Sequence, residues 1–454
     1  MKTNWKDMRV LIIGAARQGQ ALARWLVRRG AKVTLNDRQP AGALHTSQAA
    51  LAGIPVTWVL GGHPVDLLDD ADIVCLSGGV PLTNPIAAEA LKRGIPLTND
   101  TQIFLEVVPC RTIGITGSAG KTTTTTLVGR MAGQAYVGGN IGDPLLNQVD
   151  EMKPDDLAIL EISSFQLEQM TLSPGIAAIL NITPNHLDRH GTMEAYTTAK
   201  ARILQFQAPQ DTAILCRDDP GAWNLRSKVR GKLYSFGFSP LPDGGYGIFI
   251  RGGVIYMRTK EVETSLLDEA EIILRGNHNR LNVQAACAIA VASGLKYEAI
   301  RDGVRGFSGV AHRLELVREW NGIRWYNDSI ATTPERAIAA IRSFDEPIVL
   351  LLGGRDKNLP WNELAALVHQ RVDHVVLFGE ASSKIAAALA AGKLGSHPRT
   401  MVKCTSLKEA VRCAAGQARP GDVVLLSPGG TSFDEFRDFE DRGEEYRKWV
   451  LEIP

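Results

Sequence analysis

The chain has 454 residues, 44% of them hydrophobic and 22% charged, a composition that excludes gross disorder and calls for about two to four domains. Its formal net charge of +1 gives no reason to invoke a nucleic acid or an anionic membrane surface, and no apolar run approaches a membrane span. The N-terminal stretch MKTNWKDMRVLIIG is too briefly apolar for a signal peptide, and Cys75, Cys110, Cys216, Cys287, Cys404 and Cys413 form no CxxC pair. The expectation is a cytoplasmic protein with buried free thiols, with no disulfides and no zinc.

Strand and helix signals alternate from the start. Val10-Leu11-Ile12-Ile13 is a short apolar run ended by Gly14, which suits a strand buried on both faces. Ala21, Leu22, Trp25 and Leu26 recur at helical spacing between Gln20 and Arg29, and Gly30 ends that helix. Strands follow at Lys32 to Leu35, just before Asp37, and at Ile73 to Leu76, which runs into Ser77-Gly78-Gly79. A second unit opens near Asn99, with buried strands at Thr112 to Thr116, Leu157 to Leu160, Ile176 to Leu180 and Thr212 to Leu215. The Gly-rich stretch from Leu241 to Met257 reads as a hairpin insertion, and a helix from Asn279 to Ser293 closes the unit. A third opens near Gly309, with strands at Ile323 to Tyr326, Ile348 to Leu352, His374 to Phe378 and Val423 to Leu426. The expected fold is α/β with three domains: a Rossmann-like domain at 1–98, a central P-loop ATPase with a parallel sheet at 99–308, and a second Rossmann-like domain at 309–454.

Chemistry concentrates where strands end. Gly117-Ser118-Ala119-Gly120-Lys121-Thr122-Thr123 follows a buried strand and opens a helix, the place where backbone N–H groups and a helix dipole hold phosphate. Lys121 adds a point charge and Thr122 a hydroxyl for magnesium. A standard P-loop also has a glycine five residues before Gly120, where this chain has Ile115. Glu161 ends the next strand, in position to reach a nucleotide-bound Mg2+, with Ser163 two residues on. His186 follows another buried strand within Asn181-Ile182-Thr183-Pro184-Asn185-His186. A histidine there is often only a satisfied structural group; beside a P-loop and a carboxylate, metal binding is the better reading. Gly14-Ala15-Ala16-Arg17-Gln18-Gly19 is a degraded GxGxxG, and alone it suggests a nicotinamide cofactor with Asp37 on the ribose. An oxidoreductase, however, leaves the P-loop and Glu161 unexplained.

TGSAGKT, LEISSFQLE, LNITPNHLDRHGTMEAYTTAKARI, GNHNRLN, HRLE, NDSIATT and the tail LLSPGGTSFDEFRDFEDRGEEY occur together in this order. With these motifs, spread over nearly its whole length, the chain resembles the Mur peptidoglycan ligases. The resemblance implies an ATP- and Mg2+-dependent ligase that activates a carboxylate as an acyl phosphate. It is closest to the branch that joins glutamate, in its D form, to UDP-N-acetylmuramoyl-L-alanine. By that resemblance Lys200, which alone would read as a solvated helix lysine, is carbamylated and supplies a metal ligand. Lys121, His186 and Lys200 become catalytic; Thr122, Glu161, His186 and the carbamate hold metal. Asn279 and Asn282 contact adenine, and Arg313 and Asp328 reach ATP from the third domain. Gly14, Ala15, Ala16, Asp37, Ser77, Gly78, Gly79, Asn140 and Ser163 hold the UDP-linked substrate. Thr332, Lys357, Ser432 and Phe433 meet the amino acid. The expected partners are these two substrates, with no nucleic acid and no membrane insertion, and the expected state is a monomer.

Two departures bear on the amino acid. NDSIATT carries Ile330 where such ligases commonly have a lysine, and Gly429-Gly430 stand where Ala-Cys is frequent. Lys357 then carries more of the charge that a dicarboxylate needs, and a related ligase for L-glutamate is the alternative.

Overall fold

The computed structural model describes residues 4–260, 262–391 and 397–454. Three sheets carry the chain. The first contains β1 (Arg9–Ile13), β2 (Lys32–Asp37), β3 (Val56–Leu60), β4 (Ile73–Leu76) and β5 (Leu97–Thr98), all parallel in the order β3-β2-β1-β4-β5. Parallel strands need crossovers, and helices at Arg17–Arg28 and Pro85–Arg93 provide two of them. The second begins where Asn99 caps the helix Asp100–Val107, its side chain accepting from the Gln102 N–H at 2.8 Å.

The central sheet holds β6 (Arg111–Thr116), β7 (Tyr136–Gly139), β8 (Leu157–Glu161), β9 (Ile176–Ile179), β10 (Thr212–Cys216), β11 (Lys232–Phe236), β12 (Tyr246–Arg251), β13 (Val254–Thr259) and β14 (Val262–Asp268). Its order is β14-β13-β12-β11-β10-β9-β6-β8-β7, and only the extension β12 to β14 is antiparallel. The expected hairpin is therefore real, with a third strand added. β6 lies between β8 and β9, so the loops after these three strands emerge side by side at one edge. That is where an open α/β sheet binds ligands. β8 is buried at every residue, Glu161 included, so its apolar run supports a carboxylate at the sheet's working edge.

The third sheet holds β15 (Glu315–Trp320), β16 (Ile323–Asn327), β17 (Ile348–Gly353), β18 (His374–Phe378), β19 (Thr400–Lys403) and β20 (Val423–Gly429) in the order β15-β16-β20-β17-β18-β19. Only β15 runs antiparallel, paired with β16. Apolar clusters cover both faces, one around Ile341, Leu350 and Leu425 and the other around Trp325, Leu351 and Tyr446. The expected three-domain α/β architecture is thus the observed one. By contact density the first two sheets share one compact unit, Met1–Ile273 with Asn277–Phe307, and the third forms a second, Leu274–Gly276 with Ser308–Pro454. No helix among the described residues is long and apolar enough to cross a membrane.

One buried group makes the first unit sensitive to pH. Asp100 is 4% exposed, and its Oδ1 has no hydrogen-bond partner among the described residues. Burial pushes its carboxyl up to about 6 from the usual 3.8. The folded protein therefore keeps a proton that the unfolded chain has released, and stability falls as pH rises through that window. Asp100→Asn should match the wild type near pH 4 and exceed it by up to about 3 kcal/mol at pH 7. Chemical unfolding at both pH values measures this, and a constant difference would contradict it.

Candidate active site

Between β6 and the helix Lys121–Ala132 the chain makes its phosphate-type turn. Gly120 sits at φ +83°, and a Cβ there would lie 2.2 Å from Asn282 Oδ1, so both the backbone and its neighbour require glycine. The turn is held from the side by the loop after β9. Ala119 N–H donates to Asn181 Oδ1 at 2.8 Å, and Asn181 Nδ2 returns a bond to Ala119 O at 3.1 Å. Ser118 Oγ donates to Thr183 O at 2.9 Å and accepts from Thr183 N–H at 3.0 Å. Lys121 Nζ lies 2.8 Å from Gly117 O. Ile115, where a longer P-loop has glycine, is instead an interior residue of β6.

The carboxylate read from sequence joins this turn. Glu161 is 2% exposed, accepts from Thr122 Oγ1 at 2.8 Å, and accepts from Asn140 Nδ2 at 3.0 Å on its other oxygen. A hydroxyl and a carboxylate in contact beside a phosphate cradle are a hard oxygen set of the kind magnesium takes. Among the described residues no three His, Cys, Asp or Glu side chains gather as a metal cage. Thr123 is buried in the first turn of the helix.

Lys200 and Tyr196 project four residues apart from the helix Met193–Gln205, whose start Thr192 caps. Lys200 is 1% exposed; its Nζ donates to Gly117 O at 3.0 Å and Thr116 Oγ1 at 3.3 Å, directly beneath the turn. Burial, reinforced by nearby Lys121, holds its ammonium well below the usual lysine range, opposed by Glu161. Tyr196 OH is 3.0 Å from Ser118 Oγ. His186, at φ +53°, is exposed, with its ring edge-on to Phe165 at 5.1 Å. Ser163 caps the short helix Ser164–Leu167 through a reciprocal box with Gln166.

A cavity of about 170 Å³ opens beside the turn, lined by Gly120 and Asn282 with Phe236, Cys216, Asp218 and His278. Asn282 Nδ2 donates to Asn279 Oδ1 at 3.1 Å, so the predicted pair is together. Phe236, Cys216, Asp218 and His278 were not foreseen in this role. Asp218 and Asp219 stand two and three residues beyond the end of β10, near the kind of strand end that pointed to Glu161.

In the first sheet, Gly14 has φ +97°, and a Cβ would lie 2.9 Å from Ser77 Cβ, so the turns after β1 and β4 touch. Asp37 accepts from Ala15 N–H and Gln39 N–H, both at 2.9 Å, and Ala16 is exposed. Gly78 N–H donates to Gln18 Oε1 at 2.8 Å. Two arginines tie these turns to loops of the central sheet: Arg17 donates to Gly142 O and Arg189 to Gly79 O, each at 3.2 Å.

In the second compact unit, Asp328 accepts from Ser427 Oγ at 2.8 Å and from Leu314 N–H at 3.2 Å. Burial pushes its carboxyl up to about 7, opposed by the charge of Arg313. Arg313 stands between His312 and Leu314, both at positive φ, a strained triplet of the kind found at working sites. The loops after β16, β17 and β20 meet: Gly429 N–H donates to Ala331 O at 2.8 Å and Arg355 N–H to Thr431 O at 2.8 Å. Thr332 and Lys357 stand on two of these loops; Ser432 is buried on the third, and Phe433 beside it is 59% exposed. Sequence reasoning missed Arg442. Fully buried, it donates from Nε to Ser329 Oγ at 2.9 Å, from Nη2 to Ser329 O at 2.8 Å and from Nη1 to Gly430 O at 3.1 Å. Desolvation lowers its guanidinium to about 10, which leaves it charged at neutral pH.

Three consecutive family models match the chain: the Mur ligase MurD-like N-terminal domain at 8–99, the Mur ligase middle domain at 115–290, and the Mur ligase glutamate ligase domain at 312–430. A UDP-N-acetylmuramoylalanine–D-glutamate ligase of Symbiobacterium thermophilum is 40% identical over 446 residues, covering 97% of each chain. The enzyme of that name from Acidobacterium capsulatum is 42% identical over 453 residues, 98% of this chain and 96% of its own. Among solved structures, a MurF ligase from Thermotoga maritima in complex with ADP has the same fold, with a TM-score of 0.53 at 18% identity over 99% of this chain and 96% of that one. Matched across its length by three Mur domains in order and by relatives at this identity, the chain belongs to the Mur ligase family.

Proposed function

We propose that the protein joins D-glutamate to UDP-N-acetylmuramoyl-L-alanine at the expense of ATP, a step of peptidoglycan precursor synthesis and hence of cell-wall growth and division in the cytoplasm. The observation that carries this reading is the contact of Thr122, Glu161 and Asn140 beside the phosphate turn, with Lys200 buried directly below. Full-length relatives named for this reaction support the choice of substrates.

In this reading residues 1–98 hold the UDP end, 99–308 hold ATP and 309–454 bring the amino acid. A substrate carboxylate oxygen attacks the γ-phosphorus of ATP, and ADP leaves. The glutamate amine, having lost a proton, then attacks the acyl carbon, and inorganic phosphate leaves with both electrons of its C–O bond. Two anions must meet in the first step, so the protein's task is chiefly electrostatic. Lys121 neutralises phosphate, and the turn's N–H groups and helix N-terminus orient it. Thr122 and Glu161 would hold magnesium, joined by His186 and by a carbamylated Lys200; the ion would supply charge neutralisation at the phosphates. The fit of Lys200 to this role lies in its depressed ammonium: a neutral amine is the form that adds CO2. Asn279, Asn282 and the cavity beside them receive the base, with Arg313 and Asp328 acting on ATP from the third domain. Asn140, Ser163 and the turns at Gly14–Ala16, Asp37 and Ser77–Gly79 take the UDP-linked substrate. Thr332, Lys357, Ser432 and Phe433 face glutamate, with Arg442 fixing two of their loops. The test is formation of the amide product from D-glutamate, with L-glutamate as the contrasting substrate.

A further inference from the structure

The UDP-linked substrate of the proposed reaction brings a diphosphate and a carboxylate to the protein, and both need cations. Lys121 and Lys200 both lie at Gly117 O, on the nucleotide side. Arg189 stands elsewhere. Its Nη1 donates to Gly79 O in the turn after β4, and its guanidinium carbon lies 3.8 Å from the centre of the Phe165 ring, in the segment after β8. It thus spans the turn that ends the first sheet's β4 and the loop that carries His186.

What lies under Arg189 is built to hold it still. Phe165 also stacks with His190, at 5.2 Å with 7° between the ring planes. The His190 side chain is 1% exposed and paired at both nitrogens, Nε2 with Ser164 Oγ at 3.0 Å and Nδ1 with Glu168 Oε1 at 2.9 Å. A carboxylate on Nδ1 places the proton there and leaves Nε2 to accept from the serine hydroxyl. The arrangement has the order of a catalytic serine triad, yet the serine is buried, so its output is orientation. An ordinary solvated arginine gains little from such a base. A guanidinium held over an aromatic ring and bonded to a backbone carbonyl presents its fork with much of its rotamer entropy already lost.

Building on the proposed reaction, we infer that Arg189 is a binding residue for the anionic groups of the UDP-linked carboxylate substrate. His190, with Ser164 and Glu168, is its positioning group, acting through Phe165. The test is calorimetric titration of the full chain with UDP-N-acetylmuramoyl-L-alanine in the absence of ATP, with a non-hydrolysable ATP analogue as a parallel ligand. Arg189→Met should weaken the UDP-linked ligand by about tenfold or more, the scale of a lost charge-assisted bond, and leave the ATP analogue within about twofold. Arg189→Lys should recover part of the loss. His190→Ala should weaken the same ligand, with little further loss when combined with Arg189→Met, because both act through one guanidinium. Wild-type affinity for the UDP-linked ligand in Arg189→Met would overturn the inference, as would full additivity of the two variants. Should Arg189→Met fail to bind even the ATP analogue, Arg189→Lys decides: an affinity equal to wild type overturns the inference and a reduced one supports it. Failure of the wild type to bind the UDP-linked ligand would count instead against the proposed reaction.

Discussion

Lys121→Ala is expected to lower turnover by about 10³-fold while leaving affinity for the UDP-linked substrate unchanged. The lysine opens the helix after the phosphate turn, and its Nζ lies on Gly117 O, within the loop that β6 projects. Removing it takes away the positive charge that lets a carboxylate approach a polyphosphate. The loss should therefore fall on kcat more than on the binding of the substrate held by the first sheet. A second consequence is electrostatic. Lys121 is one cause of the depressed ammonium of Lys200, so its loss moves Lys200 back toward the charged form. Variants at the two positions should be far from additive. Steady-state kinetics with titration of the UDP-linked substrate check this, and full activity in Lys121→Ala would end the phosphate-turn assignment.

Lys200→Ala is expected to lose activity on the same scale, on the order of 10³-fold, and to regain part of it with formate or acetate. Two roles are possible for a buried lysine beneath a phosphate turn, a fixed cation or an amine that becomes a carbamate. Lys200→Arg separates them, since arginine keeps a charge but forms no carbamate under these conditions. Lys200→Arg should be as inactive as the alanine variant. A short carboxylate can then refill a missing oxygen position in Lys200→Ala, where space has been opened, but not in Lys200→Arg, where it has not. Activity retained in the arginine variant would show that charge alone is needed. Thermal melting of both variants guards against simple unfolding, because Lys200 also bonds Thr116 and Gly117.

The interior strands were legible in the sequence because parallel strands covered on both faces read as continuous apolar runs. Val10–Ile13, Ile73–Leu76, Leu157–Leu160 and Ile348–Leu352 all became strands within a residue or so of their expected ends. The strands that carried no such signal lie mostly at edges: Val56–Leu60, Leu97–Thr98, Tyr136–Gly139, Val262–Asp268, Glu315–Trp320 and Thr400–Lys403. One side of an edge strand pairs with nothing, and Thr400–Lys403, for example, is largely exposed. The site followed the same logic. Thr122 and Glu161 could be read because each stands at or just after a buried strand or its turn, whereas Asn140 came from the resemblance alone; Thr122 and Asn140 each bond Glu161. Arg442 could not, since it lies within a helix and works by reaching Ser329 and Gly430, residues distant in sequence. The link between Glu168, His190 and Ser164 was hidden for the same reason: no spacing rule relates the loops after β8 and β9.

The central claim is that these residues activate a carboxylate for attack by glutamate. Purified protein should be incubated with UDP-N-acetylmuramoyl-L-alanine, ATP and Mg2+, with D-glutamate or L-glutamate supplied separately, and the products resolved by mass spectrometry. An amide product and stoichiometric phosphate are expected with D-glutamate, and neither without the UDP-linked substrate. Product from L-glutamate but not D-glutamate would contradict the assignment of the amino acid, and phosphate release without any amide product would contradict the ligase itself.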